Sequence, residues 1–306
     1  THGLGDDVFG AAVCEGAMAD WSGLYLDDHL KTSAGFAALG FASFQLAMLI
    51  GRFTGDELVR RFGPVNVARR GGILAGTGLA IAIAALLTPA CKADPALGAR
   101  VNVIGTLNVF EAARAQGIAS VTYASSAGVF GPDDGANPLP VTLYGAFKLA
   151  CEGAARAYWL DAGIASIGFR PTIVYGPGRE VGLTAGVTLA CREAVAGRPY
   201  TIGFSGEQDF VYVEDAAAAF AAAALAPYEG AHAFSLIGSK HDAAAVAAEI
   251  RAQLPGAAIT VEGPPVPMAA DIRPTPYEFL LGEMPGTSLS DGIARTIAHY
   301  RRHAGA

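Results

Sequence analysis

The chain has 306 residues, a formal net charge of −7 and 16% charged residues. That length holds one large domain or two modest ones, and the acidic balance argues against a nucleic-acid partner, which would favour a basic surface. A mean hydropathy of +0.36 is high for an ordinary water-soluble enzyme, so apolar surface beyond a normal core is expected.

The composition changes near Pro89. Thr1 to Asp7 are polar and acidic, unlike a secretory leader, and the chain opens on Thr1 as a processed product, a fragment or a trimmed chain would. Residues 8–26 are apolar but carry Glu15 and Asp20, residues 33–50 are nearly uncharged, and residues 71–90 have no charge at all. The last run is roughly 20 residues long, the length that spans a bilayer's hydrocarbon core. The joint at 51–70 holds Arg52, Arg60, Arg61, Arg69 and Arg70. An arginine-rich loop between apolar segments is the mark of a cytoplasmic loop in a membrane protein. Residues 1–90 are thus expected to be an all-α apolar segment of about three helices, and if residues 8–90 insert, the chain is membrane-associated.

Residues 91–306 read as an α/β domain. Residues 121–124 and 166–169 are short apolar strands. Amphipathic helical stretches lie at 99–116, 144–162, 183–196, 215–225 and 243–254. This alternation predicts a partial doubly wound, Rossmann-like parallel sheet. Gly117, Gly163 and Gly197 stand where helices should end. The alanine-rich run at 216–224 reads as a packed helix, and Pro264 to Pro267 as a turn-rich joint. Cys14, Cys91, Cys151 and Cys191 are far apart and form no CxxC pair, so they read as reduced and buried, in keeping with a cytoplasmic location for this part. His299 and His303 share a helix face, but Arg301 and Arg302 stand between them with no nearby acid, so no metal site is expected.

Chemistry concentrates in the middle of this domain. Tyr144 and Lys148 are four apart, on one face of a helix. An ammonium beside a phenol lowers the phenol's pKa, which would let Tyr144 act as a general base on a substrate hydroxyl. Upstream, the strand at 121–124 runs into Ser125, Ser126 and a glycine-containing turn. Ligands of open α/β sheets bind beyond the carboxyl ends of strands, so a serine there can donate to a substrate oxygen. Asn102 and Gly105 sit mid-helix, where both cost stability and so call for a reason. Downstream come Phe169-Arg-Pro-Thr-Ile-Val-Tyr-Gly-Pro-Gly178, a strand broken by proline, and Asp209-Phe-Val-Tyr-Val-Glu-Asp215, a β segment opening a helix with an acidic cap.

The ordered motifs NxxGTxN, SSAGVFG, YGAFK, RPTIVYGPGR and DFVYVED resemble those of the extended short-chain dehydrogenase/reductases, the NAD-dependent epimerase/dehydratase family, over about residues 91–306. The resemblance implies an enzyme using NAD or NADP in Tyr-assisted hydride transfer on a hydroxylated, sugar-like small molecule. It implies Tyr144 as base, Lys148 as its pKa partner and ribose ligand, Ser126 as hydrogen-bond donor and Asn102 as the active-site helix asparagine. Ser125, Pro171 and Val174 would lie against the cofactor, and Thr172, Arg179 and Gln208 against the substrate. It also implies a homodimer through helices that include 144–162. Gln208 departs from the pattern: the family often has arginine there, gripping a diphosphate, and a neutral amide does not replace a bidentate cation. A nucleotide-sugar substrate is therefore in doubt.

Such enzymes begin with a glycine-rich loop whose amides hold the cofactor pyrophosphate. The nearest match, Gly72-Ile-Leu-Ala-Gly76-Thr-Gly78, follows Arg69 and Arg70 rather than a strand, so impaired cofactor binding is expected. Residues 51–63, with Asp56, Arg60 and Arg61, instead resemble a loop of the major facilitator transporters. Two further readings stay open: a membrane-associated transporter-fragment fusion without catalytic activity, and a chimera that folds only in part.

Overall fold

The computed structural model describes residues 88–284 and 286–303, which belong to one compact unit, Ala75–Ala306. The apolar segments expected at 8–26 and 33–50, the arginine-rich loop, the glycine triplet at Gly72–Gly78 and nearly all of 71–90 lie outside the described residues. Among the described residues no helix is long and apolar enough to cross a membrane.

The chain enters through two short helices, α1 (Thr88–Ala93) and α2 (Pro95–Ala99). Asp94 caps α2 by accepting from the Leu97 amide at 2.9 Å, with Pro95 in its first turn. A π-helical turn, Arg100–Ile104, then leads into α3 (Gly105–Ala115). The uninterrupted helix expected over 99–116 is therefore broken. The Asn102 carbonyl accepts from Thr106 Oγ1 at 2.7 Å and Cys151 Sγ at 3.2 Å, and such side-chain bonds compete with the regular ladder.

β1 (Ser120–Ala124), β2 (Ala165–Pro171) and β6 (Ala231–Leu236) form a parallel sheet in the order β1–β2–β6. Between β1 and β2 lies α4 (Leu143–Ala162). β2 is buried on both faces through its first five residues, which is why it reads as a continuous apolar run. β1 alternates between buried and half-buried, the pattern of a strand at the margin of the described sheet.

A second sheet, β3–β5–β7, combines β3 (Ile173–Tyr175) parallel to β5 (Glu207–Tyr212) with β7 (Ser239–Asp242) antiparallel to β5. β4 (Tyr200–Ile202) pairs in parallel with β8 (Ile259–Val261). The helices α5 (Gly186–Val195), α6 (Val213–Leu225), α7 (Ala243–Gln253), α8 (Glu278–Leu281) and α9 (Leu289–His303) complete the unit. The expected Rossmann-like architecture is present. Gly117, Gly163 and Gly197 end their helices at φ of 64°, 68° and 68°, the left-handed conformation that glycine adopts without a Cβ penalty.

The core falls into three groups. Phe110, Tyr123, Cys151 and Ile164 pack α3 and α4 onto β1. Ile167, Phe169, Phe234 and Ala219 bury the alanine-rich α6 against β2 and β6. Ile173, Tyr175, Phe204, Phe210 and Ile293 hold the second sheet to α5, α7 and α9. Each fully buried side chain of this size contributes about 1.5–3 kcal/mol by leaving water. α6 begins two residues earlier than expected, and its N-cap, Tyr212, makes no side-chain cap bond. Asp215 does not cap the helix. Its carboxylate accepts from the amide and hydroxyl of Thr287, both at 2.7 Å.

Candidate active site

Two elements build the site, α4 and the end of β1. Thr142 caps α4, its hydroxyl accepting from the Gly145 amide at 3.1 Å. This places Tyr144 in the first turn and Lys148 one turn later, on the same face. Where β1 ends, Ser126 caps a 3₁₀ turn, Ala127–Val129, its Oγ accepting from the Gly128 amide at 3.0 Å. The turn rests on α4 so closely that a Cβ at Gly145 would lie 2.0 Å from the Gly128 carbonyl oxygen. Backbone cannot yield there cheaply, so Gly145→Ala is expected to cost about 1–3 kcal/mol as an overpacked site, read as a lower denaturation midpoint, and to part Tyr144 from Ser126. An unchanged midpoint would contradict this close packing.

Burial pushes the Tyr144 phenol up to about 12, while the Ser126 hydroxyl and then the Arg179 guanidinium pull it back down. Lys148 is buried, with its Nζ donating to the Ala124 carbonyl at 2.9 Å and lying 5.5 Å from the centre of the Tyr144 ring. Burial depresses its ammonium below the usual lysine range. Lys148 therefore stands near the Tyr144 ring, and the Arg179 guanidinium is a further positive charge acting on the phenol. Lys148 is aimed at the end of β1, where a carbonyl already takes one of its protons.

Asn102 is fully buried in the π turn, its Nδ2 donating to the Gly98 carbonyl at 3.0 Å and approaching Cys91 Sγ at 3.6 Å. Through Cys151, which donates to its carbonyl, it is tied to the same helix that carries Tyr144 and Lys148. The mid-helix asparagine therefore sits behind the site, at the one irregular turn of the entering helix.

The remaining expected residues are dispersed. Ser125 is buried, its hydroxyl donating to Glu152 Oε1 at 2.5 Å. Pro171 ends β2 opposite Leu236, and the Thr172 hydroxyl donates to the Leu236 carbonyl at 3.2 Å. Val174 packs in the second sheet against the group around Phe169. Gln208 is buried in β5 opposite His241. Arg179 lies in the turn after β3, half-buried. Of these, Arg179 is the residue whose charge reaches Tyr144.

Glu152 and Arg170 were not among the residues expected to matter. Arg170 donates to Glu152 Oε1 through Nε at 2.7 Å and to Oε2 through Nη2 at 2.6 Å, with both side chains nearly buried. The Arg170 guanidinium also stacks 5.1 Å from the Phe130 ring centre. The signal was present: Glu152 follows Lys148 by four, and Arg170 is a charge inside an otherwise apolar strand.

The donor set suits the nicotinamide-ribose end of a dinucleotide. An ammonium with protons beyond the one given to Ala124 and a phenol one helical turn away match a ribose diol beside a reacting carbonyl or alcohol. Sequence comparison bears on the same point: residues 80–236 match the model of the "NAD dependent epimerase/dehydratase family". The chain belongs to that family. The UDP-glucose 4-epimerase of Mycolicibacterium smegmatis is 32% identical over 225 residues, covering 68% of this chain and 71% of that protein. The structure of the Thermus thermophilus UDP-glucose 4-epimerase in complex with NAD superposes with a TM-score of 0.61 at 27% identity, covering 70% of this chain and 74% of that one. A shorter similarity links 71 residues, 23% of the chain, at 37% identity to an uncharacterized MFS-type transporter of Yersinia pestis, covering 18% of that protein. Family members and structural neighbours are NAD-dependent epimerases and dehydrogenases, so the epimerase/dehydratase fold here is that of an enzyme family.

Proposed function

We propose that this epimerase/dehydratase-family chain oxidises a secondary hydroxyl of a sugar-like small molecule, with Tyr144 taking the hydroxyl proton. The observation that carries this reading is the grouping of Tyr144, Ser126 and Lys148 at the carboxyl end of β1. When bound, NAD supplies the hydride acceptor. Lys148 and Tyr144 are the residues that would hold its ribose, and the family resemblance would put Pro171 and Val174 against the cofactor as well. Ser126 positions the substrate oxygen against the phenol, and Asn102 braces the helix behind it.

Because burial raises the Tyr144 phenol to about 12, its phenolate is a minor species at neutral pH. A rate that depends on phenolate then rises about tenfold per pH unit between roughly pH 7 and pH 10, without a plateau. A pH profile of kcat/KM checks this, and a flat alkaline limb would count against Tyr144 as base. Titration of NAD and NADP by calorimetry tests the cofactor. Binding of neither would leave the chain a family fold without its activity.

The front of the sequence supports a second statement. The arginine-rich joint and the MFS-type similarity favour a transporter-derived segment over 1–90, which would associate with membranes. Recovery of the chain in the supernatant after a carbonate wash would exclude membrane insertion.

A further inference from the structure

Asp209 on β5 stands directly opposite Lys240 on β7, yet the two side chains form no ion pair. The Lys240 ammonium donates instead to Asp271, whose carboxylate is almost fully in water. Asp209 is 4% exposed, and among the described residues its carboxylate takes part in no hydrogen bond and no ion pair. Burial raises its carboxyl above the usual carboxylate range; Lys240 opposes this, and Asp271 and Glu207 add to it. A carboxylate withdrawn from water without a partner is costly, so one left in this way calls for an occupant.

Asp209 lines a cavity of about 600 Å³, a volume in the range of small-molecule sites. The cavity has fixed walls. The Arg273 amide donates to the Gly135 carbonyl at 2.9 Å, and a Cβ at Gly135 would lie 1.9 Å from the Asp271 carbonyl oxygen. The segments 133–136 and 271–274 thus hold each other, and both line the cavity with Asp209 and Lys240. Four carboxylates, of Asp133, Asp134, Asp209 and Asp271, face two cations, Lys240 and Arg273. Asp134 is occupied by the Ala136 and Asn137 amides and by Asn137 Nδ2, and Asp271 by Lys240. Asp209 remains inside, with Asp133 toward solvent. Among the described residues no three acids, histidines or cysteines are grouped closely enough to hold a metal ion, which favours an organic cation.

We propose that this cavity binds the primary ammonium of a small aliphatic amine, with the Asp209 carboxylate accepting its protons. A compact charge with three N–H donors suits a carboxylate whose oxygens have no other donor. Binding there needs neither NAD nor the Tyr144 phenol, so it stands or falls apart from the oxidoreductase reading.

The test is calorimetric titration of the full chain with putrescine, with butane-1,4-diol, which carries hydroxyls in place of both ammoniums, and with magnesium chloride. Putrescine is expected to bind and the diol is not. Asp209→Asn should weaken putrescine by about 10- to 100-fold, the loss of one charge-assisted contact. Lys240→Met removes the competing ammonium and frees Asp271, so it should tighten putrescine. Without amine, Asp209→Asn should melt no lower than the wild-type chain, because the substitution keeps the shape and removes an unpaired buried charge. Putrescine should raise the melting point of the wild-type chain and leave that of Asp209→Asn in place. A lower melting point for Asp209→Asn would show a stabilising partner already at the carboxylate and overturn the proposal. So would a wild-type chain silent toward putrescine, equal binding of the diol, unchanged affinity in Asp209→Asn, or magnesium binding more tightly than putrescine.

Discussion

Tyr144→Phe is expected to lower kcat by about 10²- to 10⁴-fold, the range contributed by a positioned general base. The substitution removes one oxygen and leaves the ring, so Lys148 keeps its place 5.5 Å from the ring centre and Ser126 its bond to the Gly128 amide. Stability should change little, because the hydroxyl leaves and the packing stays. The informative comparison is with Lys148→Met. If Lys148 served to acidify the phenol, that variant would move the alkaline limb of the pH profile upward. Lys148→Met removes the ammonium 5.5 Å from the ring centre, so it should move the limb upward and also weaken cofactor binding, and an unmoved limb would leave Lys148 a cofactor ligand only. A loss below tenfold for Tyr144→Phe would remove the phenol from the chemistry.

The parts of this fold legible in the sequence are those where one strong local signal decides. β2 is apolar because it is covered on both faces. Glycines at 117, 163 and 197 end helices because the left-handed turn there admits little else. β7 could not be read in that way. Its four residues, Ser239–Asp242, are polar, and only the antiparallel partner β5 makes them a strand. The π turn at Arg100–Ile104 was hidden for a similar reason. Asn102 and Gly105 signalled an irregularity, but its form depends on Cys151, which is 49 residues away in the chain and comes alongside only on folding. The Tyr144–Lys148 pair shows the limit of spacing as evidence. Four residues place both side chains on one face, but the direction of the ammonium is set by the Ala124 carbonyl on a different element.

Glu152→Ala is expected to destabilise the chain by about 3–5 kcal/mol, because it leaves the Arg170 guanidinium nearly buried without its counter-charge. For a unit of this size that corresponds to a melting point lower by about 6–20 °C. Stacking of Arg170 on Phe130 offsets about 0.5–2 kcal/mol at most. The cost should not be mistaken for the worth of the pair. Desolvating both charges is itself expensive, so the double variant Glu152→Met with Arg170→Met should recover most of the loss. The pair's consequence for function lies in position. Glu152 is one turn beyond Lys148 on α4, it accepts from Ser125 at the end of β1, and it locks to Arg170 near the end of β2. One carboxylate thus fastens α4 to the carboxyl ends of both strands. The double variant should therefore regain stability but not turnover, since α4 would be free to slide against β1 and carry Tyr144 away from Ser126. Urea denaturation together with kcat on the same three proteins distinguishes the two effects. Full recovery of kcat in the double variant would show that packing alone holds the helix, and that the ion pair has no positioning role.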